Sequence, residues 1–243
     1  MIRLDLGAAL GGAGYALLPG DPGRVARLAA LLDAVVPVHD SGPVVAVRGE
    51  LDGQGVVVCS TGMGGPSTVL VTEALGAAGV HTFLRVGGGG PVSEGVPVDR
   101  LVVATGAVRH EGSSSHLLPP AWPAVAHPAV VNAALAAAQQ LGVHVQVGVV
   151  HTKDSFFGEI EPASSAVEGE LRALWAAWCR LGVLASEMEA APLFALATVR
   201  GWRAGAVVKI NDVSAGPDHQ WSGDADLCTL ACETVRVLVS AAP

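Results

Sequence analysis

The 243-residue chain is 51% hydrophobic and 15% charged, with a formal net charge of −8, and this composition predicts one globular domain over residues 1–243. The negative charge excludes a general nucleic-acid binder, which needs a basic face, and no apolar run is long enough to predict a membrane span. Four cysteines without a CxxC pair exclude a disulfide framework and predict a reduced, cytoplasmic protein.

Short β-rich runs alternate with alanine-rich helical segments along the chain. The pattern predicts strands at residues 15–18, 56–60, 82–86, 101–107, 145–150, 183–185 and 204–210, and helices at 24–35, 67–78, 128–141, 164–181, 187–200 and 224–240. Residues 158–165 and 216–223 are predicted to be loops. Such alternation is typical of an α/β fold with helices on both faces of a mostly parallel or mixed sheet. Binding loops are then expected at the carboxyl ends of the strands.

The first predicted strand runs into a helix through the segment PGDPGR at residues 19–24. Gly20 permits a tight turn, Pro22 suits a first helical turn, and the N–H groups of a helix start favour an anion. Arg24 adds a planar cation that suits phosphate oxygens. Taken alone, the segment is more typical of an ordinary turn with a helix cap.

Two further strands are predicted to end in glycine-rich turns. One is STGMGGPS at residues 60–67, in which Ser67 is the predicted helix cap, and such strand-to-helix connections are common. The other is Arg85-Val86 followed by four glycines at 87–90. Four glycines lose much conformational entropy on folding, so the run predicts that another group approaches the backbone closely. A ligand is favoured over packing against another strand.

Arg24 and Arg85 together predict a site for inorganic phosphate or a phosphate ester. An arginine in or beside a core strand is rarely tolerated without a counter-charge. A salt bridge to Asp21 or Glu94 is the structural alternative for either arginine.

The segment SEME at residues 186–189 lies where a predicted strand meets a helix. Glu187 and Glu189 are commonplace in a first helical turn, because carboxylates complement the helix dipole. A carboxylate facing a pocket also suits paired sugar hydroxyls and a ribose that develops positive charge. At the end of the last strong strand, Asp212 could hydrogen-bond or protonate a leaving base, or form an Asx turn, and the sequence leaves both open.

Read in order, these segments resemble the nucleoside phosphorylase superfamily, most closely its uridine phosphorylases. The resemblance rests on residues 17–25, 50–68, 81–90, 122–135 and 186–205. It implies a three-layer α/β/α domain with a mixed sheet, and homo-oligomers built from dimers and usually hexamers. It also implies phosphorolysis, in which nucleoside and inorganic phosphate give ribose 1-phosphate and free base, without a metal or an organic cofactor.

The resemblance also implies roles for single residues. Phosphate is expected to contact Gly20, Arg24, Arg85 and Gly88. Ribose is expected to contact Glu187, Met188 and Glu189, with Glu189 on its 2′ and 3′ hydroxyls. The base is expected to stack on Phe156 and to lie near Gly90 and Asp212. Catalysis is expected to depend on Arg85, Glu189 and Asp212.

The chain departs from uridine phosphorylases around the phosphate and ribose. Gly88 and Gly89 stand where those enzymes have threonines. Residues 40–43 lack the arginine that such enzymes contribute to the neighbouring subunit's phosphate site. Near Asp5, the N-terminal histidine that reaches the neighbour's ribose is replaced.

The base pocket departs as well. Residues 158–162 contain neither the glutamine nor the arginine that recognise uracil. Asn211-Asp212 instead resembles the Ser-Asp of purine nucleoside phosphorylases, in which the aspartate protonates N7. Overall similarity therefore favours a pyrimidine base, whereas Asp212 favours a purine.

Two alternatives to an active phosphorylase remain. A weakened phosphate site could accept water, which would make the protein a nucleoside hydrolase. The missing threonines, arginine and histidine also fit a nucleoside-binding protein on the same scaffold. The presence of Arg24, Arg85, Met188 and Glu189 favours an active enzyme.

Overall fold

A computed structural model describes residues 8–212 and 224–241. The strands are β1 (Tyr15–Pro19), β2 (Asp33–Ser41), β3 (Val44–Leu51), β4 (Gln54–Cys59), β5 (Thr82–Pro91), β6 (Leu101–His110), β7 (Ala124–Val125), β8 (Val145–Lys153), β9 (Ala185–Glu187) and β10 (Arg203–Ile210). The α-helices are α1 (Pro22–Ala29), α2 (Gly65–Ala77), α3 (Pro128–Leu141), α4 (Phe156–Ile160), α5 (Glu168–Arg180), α6 (Ala190–Arg200) and α7 (Ala225–Ser240).

The strands form one mixed sheet in the order β10-β6-β8-β9-β5-β1-β4-β3-β2, with β7 beside β6. Strands β4, β1, β5 and β10 are parallel to one another, whereas β10–β6 and β5–β9 are antiparallel pairs. Because β10 also pairs with β5, the strands β5, β10, β6, β8 and β9 close into a ring. This closure brings the ends of β8 and β9 beside the carboxyl half of β5.

Helices cover both faces of the sheet. Along β1, Ala16 and Leu18 face one core, and Tyr15 and Leu17 face the other, as the alternation of a strand requires. The first core includes side chains from α2 and α6, and the second includes side chains from α1, α3 and α7. The predicted three-layer α/β/α architecture with a mixed sheet is confirmed.

The helix predicted at residues 24–35 is wrong beyond Ala29. The chain turns there into β2, which forms an antiparallel hairpin with β3 that we did not predict. The side chains of β2 are mostly exposed, because β2 is the last strand of the sheet. An edge strand of this kind lacks the apolar alternation that identifies half-buried strands.

Around residues 183–190 the predicted boundaries are displaced. The strand lies at Ala185–Glu187 rather than 183–185, and the helix begins at Ala190 rather than at residue 187. The two glutamates therefore precede the helix. Local pattern misses this because β9 is held by long-range pairing with β5 and β8.

The predicted glycine turn at 87–90 is also wrong, since β5 continues through these residues to Pro91. Ser67 does not cap α2: Gly64 occupies the cap, and the Ser67 hydroxyl donates instead to the carbonyl of Thr61. The predicted loop at 158–165 contains the end of α4 and a short 3-10 helix, and the predicted loop at 216–223 lies outside the described residues.

The cysteines behave as core residues. Cys228 and Cys232 are buried on α7, and all four cysteines are free thiols. Burial raises the pKa of Cys228 to about 11 and that of Cys232 to about 12, so both stay protonated at neutral pH. Across the described ranges, no helix has the length and apolar character needed to cross a membrane.

Gly76→Ala is expected to destabilise the protein, although alanine usually favours a helix. A Cβ at this position on α2 would overlap the ring of Trp202, which packs 5.2 Å from Phe83. Overpacking of this kind costs about 1–3 kcal/mol. Gly169→Ala on α5 is the matched control: it has open space, so it should stabilise the protein by about 0.4–1 kcal/mol. Urea unfolding measures the free energy of unfolding of both variants. Equal effects would contradict the close packing of Gly76 against Trp202.

Candidate active site

A cavity of about 470 Å³ lies where the carboxyl ends of β1, β5 and β10 meet the ends of β8 and β9. Such an edge is where α/β folds bind ligands. Nine of the ten residues predicted for the site line this cavity: Gly20, Arg24, Arg85, Gly88, Gly90, Phe156, Glu187, Met188 and Glu189. The structure therefore brings together segments that lie far apart in the sequence.

Arg85 lies in the wall of the cavity between two carboxylates. Its Nε is 2.8 Å from Oε2 of Glu187, and its Nη2 is 2.5 Å from Oε2 of Glu189. All three side chains are buried. The alternative partners Asp21 and Glu94 are therefore wrong for Arg85. Gly87 leaves room for the guanidinium, since a Cβ there would lie 2.5 Å from its central carbon.

The two glutamates differ in their partners. Glu187 accepts hydrogen bonds from the N–H groups of Glu189 and Ala190 at 2.8 and 2.9 Å, and from the Thr152 hydroxyl. Its carboxylate therefore satisfies the start of α6 and holds Arg85. Glu189 accepts a hydrogen bond, at 2.7 Å, from the N–H of Gly64. The ribose-binding role of both glutamates stays a prediction, and the partners of Glu187 favour positioning.

Glu189 is a carboxyl whose charged form is disfavoured. Its burial raises its pKa, and the nearby charge of Glu187 raises it further. Arg85 and the N–H groups of Gly64 and Met188 lower the pKa, but burial outweighs them. The pKa of Glu189 therefore lies above its ordinary value.

Arg24 forms the second cationic part of the wall. Its Nε donates to Asp224 at 2.9 Å, and its Nη1 donates to the carbonyl of Val86 at 3.3 Å and lies 3.3 Å from Asp21. The alternative salt bridge to Asp21 is thus present, but we did not predict Asp224. Arg27, half-exposed and outside the lining, binds the same oxygen of Asp224 at 2.9 Å.

The glycines of β5 are approached closely by protein atoms. A side chain at Gly88 would overlap the amide of Asn211, and a Cβ at Gly89 would lie 2.6 Å from the carbonyl oxygen of Ser186. A threonine at Gly88 would therefore not fit beside Asn211 as it stands. The glycines at 87–90 also line the cavity. Close packing against protein atoms and close approach by a ligand can therefore both account for the glycine run.

Phe156 lines the cavity from the start of α4. It is 40% exposed, and the ring of Phe157 meets it edge-on at 5.6 Å. Lys153 and Ser186 also line the cavity, and sequence reasoning missed both. The available signal was a lysine close to the end of the strand predicted at 145–150, in a chain with only two lysines.

Asp212 is the second residue after β10, next to Asn211. Among the described residues, Asn211 lines the cavity and Asp212 does not. The catalytic and base-binding roles of Asp212 therefore stay predictions. Asp5, near the replaced histidine, lies outside the described residues.

A second cavity of about 470 Å³ adjoins the first and shares Lys153 with it. Its walls include Trp175 and Trp178, and also His110 and His151, whose ring nitrogens lie 3.0 Å apart. Burial lowers the pKa of His110, and His151 lowers it further. Within residues 8–212 and 224–241, no group of three or more histidines, cysteines or carboxylates is arranged to hold a metal ion.

Comparison with known proteins identifies relatives across most of the chain. The family model of the phosphorylase superfamily matches residues 15–242. Uridine phosphorylase of Klebsiella aerogenes is 39% identical over 83% of this chain and 81% of its own length. Uridine phosphorylase of Treponema pallidum is 41% identical, with coverages of 93% and 90%. Guanosine phosphorylase of Halorubrum lacusprofundi is 36% identical, with coverages of 91% and 88%.

Glu189→Gln is expected to raise the thermal stability of the unliganded protein. Because the pKa of Glu189 is raised on folding, the native state loses stability as pH rises from the ordinary value of 4.5 through the raised value. The glutamine variant lacks this loss. Its melting temperature should exceed that of the parent by at least about 2 °C at pH 7, with the difference vanishing towards pH 4.

Scanning calorimetry between pH 4 and pH 8 measures this difference. The same substitution at Glu187 is the matched control. It should lower the melting temperature, because that carboxylate holds Arg85 and the first N–H groups of α6. A Glu189→Gln variant less stable than the parent at pH 7 would show that the pair with Arg85 outweighs burial.

Proposed function

This chain belongs to the phosphorylase superfamily, and we propose that it is a nucleoside phosphorylase that converts a nucleoside and inorganic phosphate into ribose 1-phosphate and a free base. Relatives named uridine and guanosine phosphorylase, aligned over most of the chain, support this function. They also support enzymatic activity of the pentosyltransferase type.

The observation that carries the proposal is the position of Arg85. It lines one cavity together with Arg24, and it is held by Glu187 and Glu189, which line the same cavity. Guanidinium groups suit phosphate oxygens, and a carboxylate suits vicinal hydroxyls. The cavity therefore combines groups for an anion with a group for a sugar.

The reaction requires little covalent chemistry from the protein. Arg24, Arg85 and the backbone beside Gly20 and Gly88 hold phosphate near the anomeric carbon. The C1′–N bond stretches and its electron pair leaves with the base, while a phosphate oxygen bonds to C1′. Glu189, held by Arg85 and the N–H of Gly64, binds the ribose hydroxyls and stabilises the oxocarbenium-like sugar.

The rest of the proposal concerns partners and surroundings. Inorganic phosphate is a co-substrate, and the reaction uses no metal or organic cofactor. The protein is a cytoplasmic enzyme of nucleoside salvage and forms a homo-oligomer built from dimers, up to a hexamer. The exposed valines at positions 35 and 36 of the edge strand β2 fit such an assembly, because a further subunit would bury them.

A nucleoside panel with and without phosphate tests the function. Phosphate-dependent release of base with ribose 1-phosphate is the expected result. Free ribose formed at the same rate without phosphate would identify a hydrolase instead. Binding of nucleosides without turnover would identify a binding protein on this scaffold, and either result would overturn the proposal.

Arg24→Gln is expected to raise KM for phosphate by about 10- to 100-fold, the loss that follows from removing a charge-assisted hydrogen bond. KM for the nucleoside should change much less. Arg27→Gln is the matched control, because it removes an ion pair with the same Asp224 but does not line the cavity. Steady-state kinetics at varied phosphate decide between them, and equal effects of the two variants would remove Arg24 from the phosphate site.

A further inference from the structure

A buried cation stands on the side of the cavity where Phe156 lies. Lys153 ends β8, is 5% exposed and lines the same cavity as Arg24 and Arg85. Its Nζ lies 5.7 Å from the centroid of the Phe156 ring. Neither phosphate binding nor ribose binding, as proposed above, uses this cation.

Two protein groups hold the ammonium in place. Nζ donates to Oε1 of Glu159 at 2.6 Å and to Oγ of Ser186 at 2.7 Å, and Ser186 donates to the other oxygen of Glu159. An ammonium carries three N–H donors. These are its two acceptors within the part of the chain that the structure describes, so the third N–H can serve a ligand in the cavity.

Glu159 provides a lasting counter-charge. Its burial raises its pKa, but the hydrogen bond with His151, the charge of Lys153 and the hydrogen bonds from Lys153 and Ser186 outweigh burial and hold the pKa below its ordinary value. A buried ion pair contributes little net stability compared with apolar packing. Stability alone therefore does not explain a lysine at this place, whereas a polar ligand in the cavity does.

We propose that Lys153 donates a hydrogen bond to a carbonyl oxygen of the base that stacks on Phe156. The inference rests on the proposed phosphorylase function and deepens it. When the C1′–N bond breaks, its electron pair passes to the base and spreads onto that oxygen, while a phosphate oxygen bonds to C1′. The base anion then takes up a proton from water. The ammonium stabilises this developing negative charge, and Glu159 and Ser186 act as positioning residues.

The substrate class follows from the donor. The contacted oxygen is O4 of a pyrimidine or O6 of a purine. Uracil, thymine, hypoxanthine and guanine carry a carbonyl at that position, whereas cytosine and adenine carry an amino group that would place donor against donor. The discrimination is thus between oxo and amino bases, not between pyrimidines and purines. Relatives named for uridine and for guanosine fit it, because both bases carry the carbonyl.

Lys153→Met removes the charge and the donors while keeping an unbranched side chain that is one atom shorter. It should lower kcat/KM for uridine and inosine by about 10- to 100-fold, the loss expected for a hydrogen bond to a charged group, and leave KM for phosphate within about 3-fold. The preference for uridine over cytidine, and for inosine over adenosine, should shrink. The loss should be smaller for 5-fluorouridine, whose base leaves more easily and needs less stabilisation.

Two further variants separate recognition from folding. Lys153→Met combined with Glu159→Gln avoids an uncompensated carboxylate, and should show the same substrate pattern with a normal unfolding transition. Arg172→Met removes a cation that lines the adjoining cavity and pairs with Glu168, so it should leave all rates unchanged. Equal losses for oxo and amino nucleosides, or no benefit from fluorine, would overturn the role of Lys153.

Binding of free bases, measured by calorimetry, tests recognition by Lys153 without requiring turnover, so it separates this inference from the proposed function. The parent protein should bind uracil or hypoxanthine more tightly than cytosine or adenine, and Lys153→Met should lose the difference. If no nucleoside is cleaved but this binding pattern holds, the phosphorylase function fails and recognition by Lys153 stands. If nucleosides are cleaved but amino bases bind equally well, recognition by Lys153 fails alone.

Discussion

The organisation of the candidate site depends on one buried group of charges, Arg85 with Glu187 and Glu189. Arg85 lies between the two carboxylates, and burial, with the charge of Glu187 added to it, raises the pKa of Glu189. Stability alone does not require this arrangement, because replacing buried ion pairs by apolar residues of similar volume often leaves a protein equally stable or more stable. Its use is to hold a guanidinium and a carboxylate in fixed positions at the wall of a cavity before any ligand arrives.

The two glutamates have different roles because they occupy different backbone positions. Glu187 ends β9, where its carboxylate meets the first N–H groups of α6, so that strand, helix and Arg85 are tied to one another. Glu189 directly follows Met188, and its side chain lines the cavity. Pre-organised charges of this kind lower the reorganisation that a reaction requires, at some cost to the stability of the unliganded protein.

Departures from uridine phosphorylases acquire a physical explanation in the structure. Gly88 stands where those enzymes have threonine, and here the amide of Asn211 occupies the space beside it. The stretch after Phe156 lacks the arginine expected for a uracil site. Lys153, at the end of β8 and just before Phe156 in the chain, places a cation near the Phe156 ring instead. Both polar contacts and positive charge therefore remain in the cavity, supplied from different positions in the chain.

The sequence by itself determined the fold class and most helices and strands, because apolar periodicity and the placement of glycine and proline are local signals. Its resemblance to nucleoside phosphorylases supplied most of the nine residues that line one cavity. It did not determine the β2–β3 hairpin, whose exposed edge lacks that periodicity, or the closure of β5, β10, β6, β8 and β9 into a ring. The partners of the charges were equally hidden: Arg24 meets Asp224, Arg85 meets Glu187 and Glu189, and Lys153 meets Ser186. Only tertiary structure decides such pairs, because the sheet brings together strand ends that are remote in the chain, and burial then requires each charge to find a partner there.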